Sequence, residues 1–159
     1  ETLGLGIELQ PGDVAARANF CTMDENGIVT DRRAGRIPTS TCEAMCEILS
    51  SNIKKIGTTE VIIQPGKEHR FVVVFRDKKK ALEGPLTDAD PNREGYAIPT
   101  VEPVDASSKA AKNAAKVIQE FYKIALPLLK DQSPAILDLM VQLQEKLLKI
   151  LRIISTKRF

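Results

Sequence analysis

The residues from Val14 to Met23 fall into two alternating sets. Val14, Ala16, Ala18, Phe20 and Thr22 form one, and Ala15, Arg17, Asn19, Cys21 and Met23 the other. A period of two predicts a strand. Asp24-Glu-Asn-Gly27 is a turn, with Asn-Gly tolerating positive φ. Ile28 to Asp31 returns as a second strand, so a hairpin is expected. Thr39-Ser-Thr41 ahead of Glu43 has the form of a capping box. The helix it opens carries Cys42, Met45, Cys46, Leu49, Ile53 and Ile56 at helical spacing, and Gly57 stops it. Glu60 to Gln64 predicts a third strand, Pro65-Gly66 a turn, and His69 to Arg76 a fourth strand. Its Phe71-Val-Val-Val-Phe75 is too continuously apolar for an edge and belongs at the centre of a sheet.

Outside these elements the pattern is looser. Residues 1–11, interrupted by Gly4 and Gly6, read as a helix end and loop. Residues 77–106 are irregular, with Lys78-Lys-Lys80 and prolines at 85, 91, 99 and 103; a loop of this length is more often functional than idle. Ser107 to Lys130 is helical, kinked or broken at Pro127. Ser133-Pro134 opens a last helix, in which Ile136, Met140, Leu143, Leu147, Ile150 and Ile154 follow a coiled-coil seam. Leu137, Leu148 and Leu151 widen that stripe. The helix either packs on the domain's own sheet or mediates self-association. The expected class is α+β: a mixed or antiparallel sheet of about four to five strands, helices packed on it, and a long amphipathic C-terminal helix. No internal repeat or low-complexity tract interrupts it.

Composition narrows the function. The 159 residues suit one domain with an appendage, and a net charge of +2 supplies no global field to draw in nucleic acid or an anionic membrane. Aromatics at 4% with no tryptophan argue further against base-stacking surfaces. Neither a signal peptide nor an apolar run of membrane-spanning length is present. Cys21, Cys42 and Cys46 suit neither a disulfide framework nor a closed zinc site, and read as small buried hydrophobes in a reducing cytoplasm. A chain starting at Glu1, already inside structured sequence, is expected to be a processed, trimmed or excised piece.

Four segments carry candidate chemistry. Asp31-Arg-Arg-Ala-Gly-Arg36 sets Arg32, Arg33 and Arg36 between a strand and a helix N-terminus, where guanidinium forks grip phosphate or carboxylate and Gly35 permits close approach. The plain alternative is a solvated basic loop with one arginine paired to Asp31. Arg17 and Asn19 share a strand face and point to a ligand cleft, or Arg17 pairs internally with Asp31 or Asp13. In Glu68-His69-Arg70 the chain's one histidine is a phosphate ligand or proton shuttle, or is simply structural. In Leu86-Thr-Asp-Ala-Asp-Pro-Asn-Arg-Glu-Gly95, Asp88, Asp90 and Arg93 suggest a clamp; the likeness to a calcium loop is weak because its glycine and closing glutamate are misplaced. There is no phosphate-binding Walker loop, no G-x-S-x-G elbow and no His/Asp cluster for two metals.

Taken in order, Leu5 to Phe20, Asp31 to Ile37, Pro65 to Arg76 and Thr87 to Gly95 resemble the archaeal-type cofactor-independent phosphoglycerate mutases of the alkaline-phosphatase-like superfamily. The resemblance runs to about residue 130 and is to the inserted substrate-orienting domain. It implies a parent isomerase of glycolysis and gluconeogenesis, cytoplasmic, interconverting 3-phosphoglycerate and 2-phosphoglycerate through a phosphoserine. Two divalent ions of the manganese, magnesium or zinc class would sit in a separate catalytic domain. The serine and metal ligands would then lie before residue 1 and after residue 159, leaving no catalytic residue, cofactor or metal in this chain, which alone would be inactive.

The resemblance casts Arg17, Arg32, Arg33, Arg36, His69, Arg70, Asp88, Asp90 and Arg93 as substrate-binding candidates, and the segments read above add Asn19 and Asp31. It covers residues 1–131 as one unit, and the chain departs from it beyond Asp131, where the apolar spacing predicts a divergent amphipathic helix over 132–159. The expected partners are a small phosphorylated substrate, the catalytic metal domain and a second copy through residues 133–159, with no nucleic acid and no membrane. The alternative is a non-catalytic module that binds a phospho-ligand or self-associates.

Overall fold

The structure is a computed structural model that describes residues 6–79 and 81–130, and the backbone of 148–158. Its elements are β1 (Val14–Met23), β2 (Val29–Asp31), α1 (Thr39–Asn52), β3 (Lys55–Ile56), β4 (Thr59–Pro65), β5 (Arg70–Asp77), α2 (Lys109–Lys130) and β6 (Leu148–Arg158). The class is α+β, as expected, and every strand pairing is antiparallel.

β5 is central. It pairs with β1 from Arg17↔Val72 to Asn19↔Arg70 and beyond, and with β4 on its other side. β6 pairs with β1 from Val14↔Arg158 to Met23↔Leu148. A strand has two edges, so β5 and the short β2 share the opposite edge of β1, with β2 taking only Thr22 and Met23.

Period-two alternation sorts the sheet into two faces. Val14, Ala16, Ala18, Phe20, Val61, Ile63, Phe71, Val73 and Phe75 join the helix residues in one large core. Phe20 stacks on Phe71 at 4.5 Å, and Phe75 meets Phe121 of α2 edge-on at 5.6 Å. The second face holds a smaller cluster of Ile7, Ala15, Val72 and Val74. Beside it Arg76 forks onto buried Asp13 at 2.7 Å. That hydrogen bond holds the Arg76 guanidinium above its ordinary pKa. Ala111, Ala114, Ala115, Ile118, Phe121, Ala125 and Leu129 form the buried stripe of α2, which makes it the long amphipathic helix of the fold.

Several expectations need correction. Residues 148–158 are a strand, not the end of a helix, so Ile150 and Ile154 cannot belong to a helical seam there; residues 131–147 lie outside the described residues. Pairing with the full length of β1 overrides the helical spacing. The first helix stops at Asn52 instead of Ile56, because Lys55–Ile56 turns about Gly57 (φ 59) to pair with Thr59 and Glu60. No side chain caps α1; the Thr39 hydroxyl accepts instead from the Glu68 amide at 3.1 Å. α2 runs through Pro127 without a break, and Ser108 Oγ caps its start by accepting from Ala111 N.

Candidate functional site

Arg17 and Asn19 leave β1 on the face turned away from α1 and α2. Because Asn19 lies opposite Arg70 in the ladder, Arg70 shares that face. Around this end of the sheet gather the turn after β2, the β4–β5 hairpin and the loop at 88–92. Together they enclose a cleft of about 580 Å³ lined by Arg17, Asn19, Arg32, Arg33, Arg36, Glu68, His69, Arg70, Asp90 and Asn92. Five guanidinium groups thus face two carboxylates in a chain whose net charge is only +2. Like charges repel, so holding them together favours an anion in the cleft.

The turn after β2 is left-handed over three consecutive residues: Ala34 (φ 47), Gly35 (φ 64) and Arg36 (φ 52). Only glycine adopts this conformation freely; Ala34 and Arg36 each cost about 1–2 kcal/mol there. Asp31 holds the turn, its Oδ1 accepting from Arg33 N at 2.7 Å and its Oδ2 from Gly35 N at 2.6 Å. Buried Ala34 and Ile37 anchor the turn in the main core, while Arg33 and Arg36 stay exposed. Among the described residues the other non-glycine positions with positive φ are Glu68 and Asn92, which both line the cleft. Strain concentrated at one site is a mark of function over fold stability.

The ion pairs differ from those expected. Arg32 reaches across to Asp90 at 2.7 Å, and the Asp90 side chain is 3% exposed. The Arg32 Nε is buried without an acceptor among the described residues. Arg33 and Arg36 form no ion pair among the described residues. Glu68 lies 3.8 Å from Arg70 and 3.9 Å from buried His69. Asp31 and Asp13, expected as internal partners of Arg17, are engaged by backbone amides and by Arg76 respectively.

Eight of the eleven candidate residues therefore line the cleft: Arg17, Asn19, Arg32, Arg33, Arg36, His69, Arg70 and Asp90. Asp31, Asp88 and Arg93 do not. Asp31 holds the turn. Asp88 accepts from Asp90 N at 2.9 Å, and Arg93 lies 4.0 Å over the Tyr96 ring. Asn92 also lines the cleft, at φ 62, its amide donating to Asp90 Oδ1. Sequence reasoning passed over it, although asparagine after Asp-Pro is a turn signal.

The cysteines are buried and free. The Cys42 hydrogen bond and burial push the Cys46 thiol up, while the bond from Cys46 lowers Cys42. Among the described residues no group of three or more His, Cys, Asp or Glu could hold a metal ion, and no helix is long and apolar enough to cross a membrane.

The family model for 2,3-bisphosphoglycerate-independent phosphoglycerate mutase matches residues 1–134. A relative of that name from Methanosphaera stadtmanae is 42% identical over 131 residues, 82% of this chain and 31% of the relative. One from Thermotoga sp. (strain RQ2), named a probable enzyme of the same kind, is 44% identical over 133 residues, 84% of this chain and 32% of its own length. The solved cofactor-independent phosphoglycerate mutase of Thermoplasma acidophilum superposes with a TM-score of 0.82 at 29% identity, covering 99% of this chain and 40% of that one. The chain belongs to the 2,3-bisphosphoglycerate-independent phosphoglycerate mutase family and spans about a third of the length of the curated relatives it matches.

Proposed function

We propose that this chain is the substrate-clamping domain of a phosphoglycerate mutase that interconverts 3-phosphoglycerate and 2-phosphoglycerate in glycolysis and gluconeogenesis. The observation that carries this reading is the convergence of Arg17, Arg32, Arg33, Arg36 and Arg70 on one cleft. Phosphoglycerate is small and carries two anionic groups, phosphate and carboxylate. Guanidinium forks bind both bidentately and stay charged at any working pH. Asn19, His69 and Asn92 add polar groups able to bond the glycerate oxygens. Asp88 is assigned the support of Asp90 through its amide, and Arg93, stacked on Tyr96, no contact with the substrate.

In this reading the chain does no bond-making chemistry. Its residues bind the anion, fix the glycerate against rotation and keep water from it while the phosphoryl group changes oxygen. Orientation and electrostatic stabilisation are the two contributions such a jaw can make. The nucleophilic serine, and two divalent ions that would activate it and neutralise phosphate charge, are assigned to the part of the parent enzyme outside this chain. The described residues do not fit such ions. Three free thiols and the nature of the substrate suit a cytoplasmic setting.

Calorimetric titration with 3-phosphoglycerate, with glycerate as the control lacking phosphate, tests the reading. Binding should be measurable for 3-phosphoglycerate, weaker for glycerate, and weakened by salt. No binding of 3-phosphoglycerate would overturn it. Phosphorus NMR should detect no 2-phosphoglycerate formed by the chain alone; turnover would show that the catalytic machinery is present after all.

A further inference from the structure

Asp31 is the acidic residue nearest the arginine cluster in sequence, and a carboxylate beside a phosphate site should by charge alone weaken anion binding. Its geometry says otherwise. Both carboxylate oxygens point at the chain's own amides, Arg33 N at 2.7 Å and Gly35 N at 2.6 Å. Successive amides in a left-handed turn form a concavity that binds an anion, and here an internal anion fills it.

We infer that Asp31 is a positioning residue which, as the internal anion of the left-handed turn Ala34–Arg36, aims Arg33 and Arg36 into the cleft. This rests on the functional reading above but adds a separate claim, that a negative charge raises the affinity of a site for negative ligands. The turn needs such a clamp because Ala34 and Arg36 stand at φ 47 and 52, where side-chain-bearing residues do not settle by themselves. The backbone bond from Arg36 N to Arg33 O at 2.9 Å closes the turn on itself. The Asp31 bonds instead tie the turn back to the end of β2. Neither Arg33 nor Arg36 has an ion pair among the described residues, so their direction toward the cleft is set by the backbone that carries them.

The test is Asp31→Asn, titrated with 3-phosphoglycerate and with inorganic phosphate. Asparagine removes the charge and leaves one acceptor for two amides. If charge alone mattered, the variant would bind both anions more tightly. Positioning predicts the opposite sign: weaker binding of both by about tenfold, the equivalent of one charge-assisted hydrogen bond. Asp31→Glu keeps the charge but moves the carboxylate by one methylene, and is expected to weaken binding as well. Equal or tighter binding by Asp31→Asn, or full affinity in Asp31→Glu, overturns the inference. The amide NMR spectrum provides the second readout, with shifts expected at Arg33 to Ile37 and a dispersed spectrum elsewhere. Global loss of dispersion would overturn the inference too, by making Asp31 a requirement of the fold. Absence of binding by the unaltered chain would instead defeat the functional reading.

Discussion

The turn after β2 and the loop after β5 look alike in sequence. Each mixes aspartate and arginine around a residue of positive φ, yet the side chains divide differently. In the turn the arginines face the cleft and Asp31 bonds backbone. In the loop it is Asp90 that reaches the cleft, where it holds Arg32, while Arg93 stacks on Tyr96 outside it. Asp88 in turn bonds the Asp90 amide. Charge type therefore does not identify a ligand contact. Burial and hydrogen-bond partners separate side chains that build the site from those free to grip an anion.

Breaking the bridge between the two regions should have the largest effect. Arg32→Ala takes from Asp90, whose side chain is 3% exposed, the guanidinium at 2.7 Å and leaves the Asn92 amide on its Oδ1. It is expected to destabilise the fold by about 2 kcal/mol in urea unfolding, the cost of removing one charge-assisted hydrogen bond from a buried carboxylate. A change near zero would mean that the loop is not tethered through this pair.

A smaller effect is expected at Gly35. A methyl group added there would meet no atom within 4 Å, so Gly35→Ala tests the left-handed backbone alone. A loss of about 1 kcal/mol in the same unfolding experiment is expected. A stabilised variant would contradict the positive φ. Smaller still is Arg93→Ala, which removes an exposed cation–π contact. It should cost no more than about 0.5–1 kcal/mol in that assay.

Much of the sheet was legible because strands with one or both faces buried leave a pattern. β1, β4 and β5 stand within a residue or so of their expected places, and β5 is central, as its continuous apolar run required. The arginine cluster was legible as a candidate because Arg32, Arg33 and Arg36 stand close together between a strand and a helix N-terminus. β6 was not. Its apolar residues keep three- and four-residue steps, which read as helix, yet Ile150, Ile153, Ile154 and Thr156 crowd β-branched residues into seven positions. The open edge of β1, which only the fold reveals, decided between the two. Partners distant in the chain were hidden in the same way. Nothing local to Arg32 points 58 residues ahead to Asp90, and nothing local to Asp31 shows that both its oxygens are spent on amides.

The most direct test titrates 3-phosphoglycerate into Arg33→Ala and Arg93→Ala side by side, with unfolding curves to confirm that both are folded. The arginine cleft predicts about tenfold weaker binding for Arg33→Ala, the loss of one charged contact to an anion, and unchanged binding for Arg93→Ala. Unchanged binding in Arg33→Ala, or a loss confined to Arg93→Ala, would contradict it.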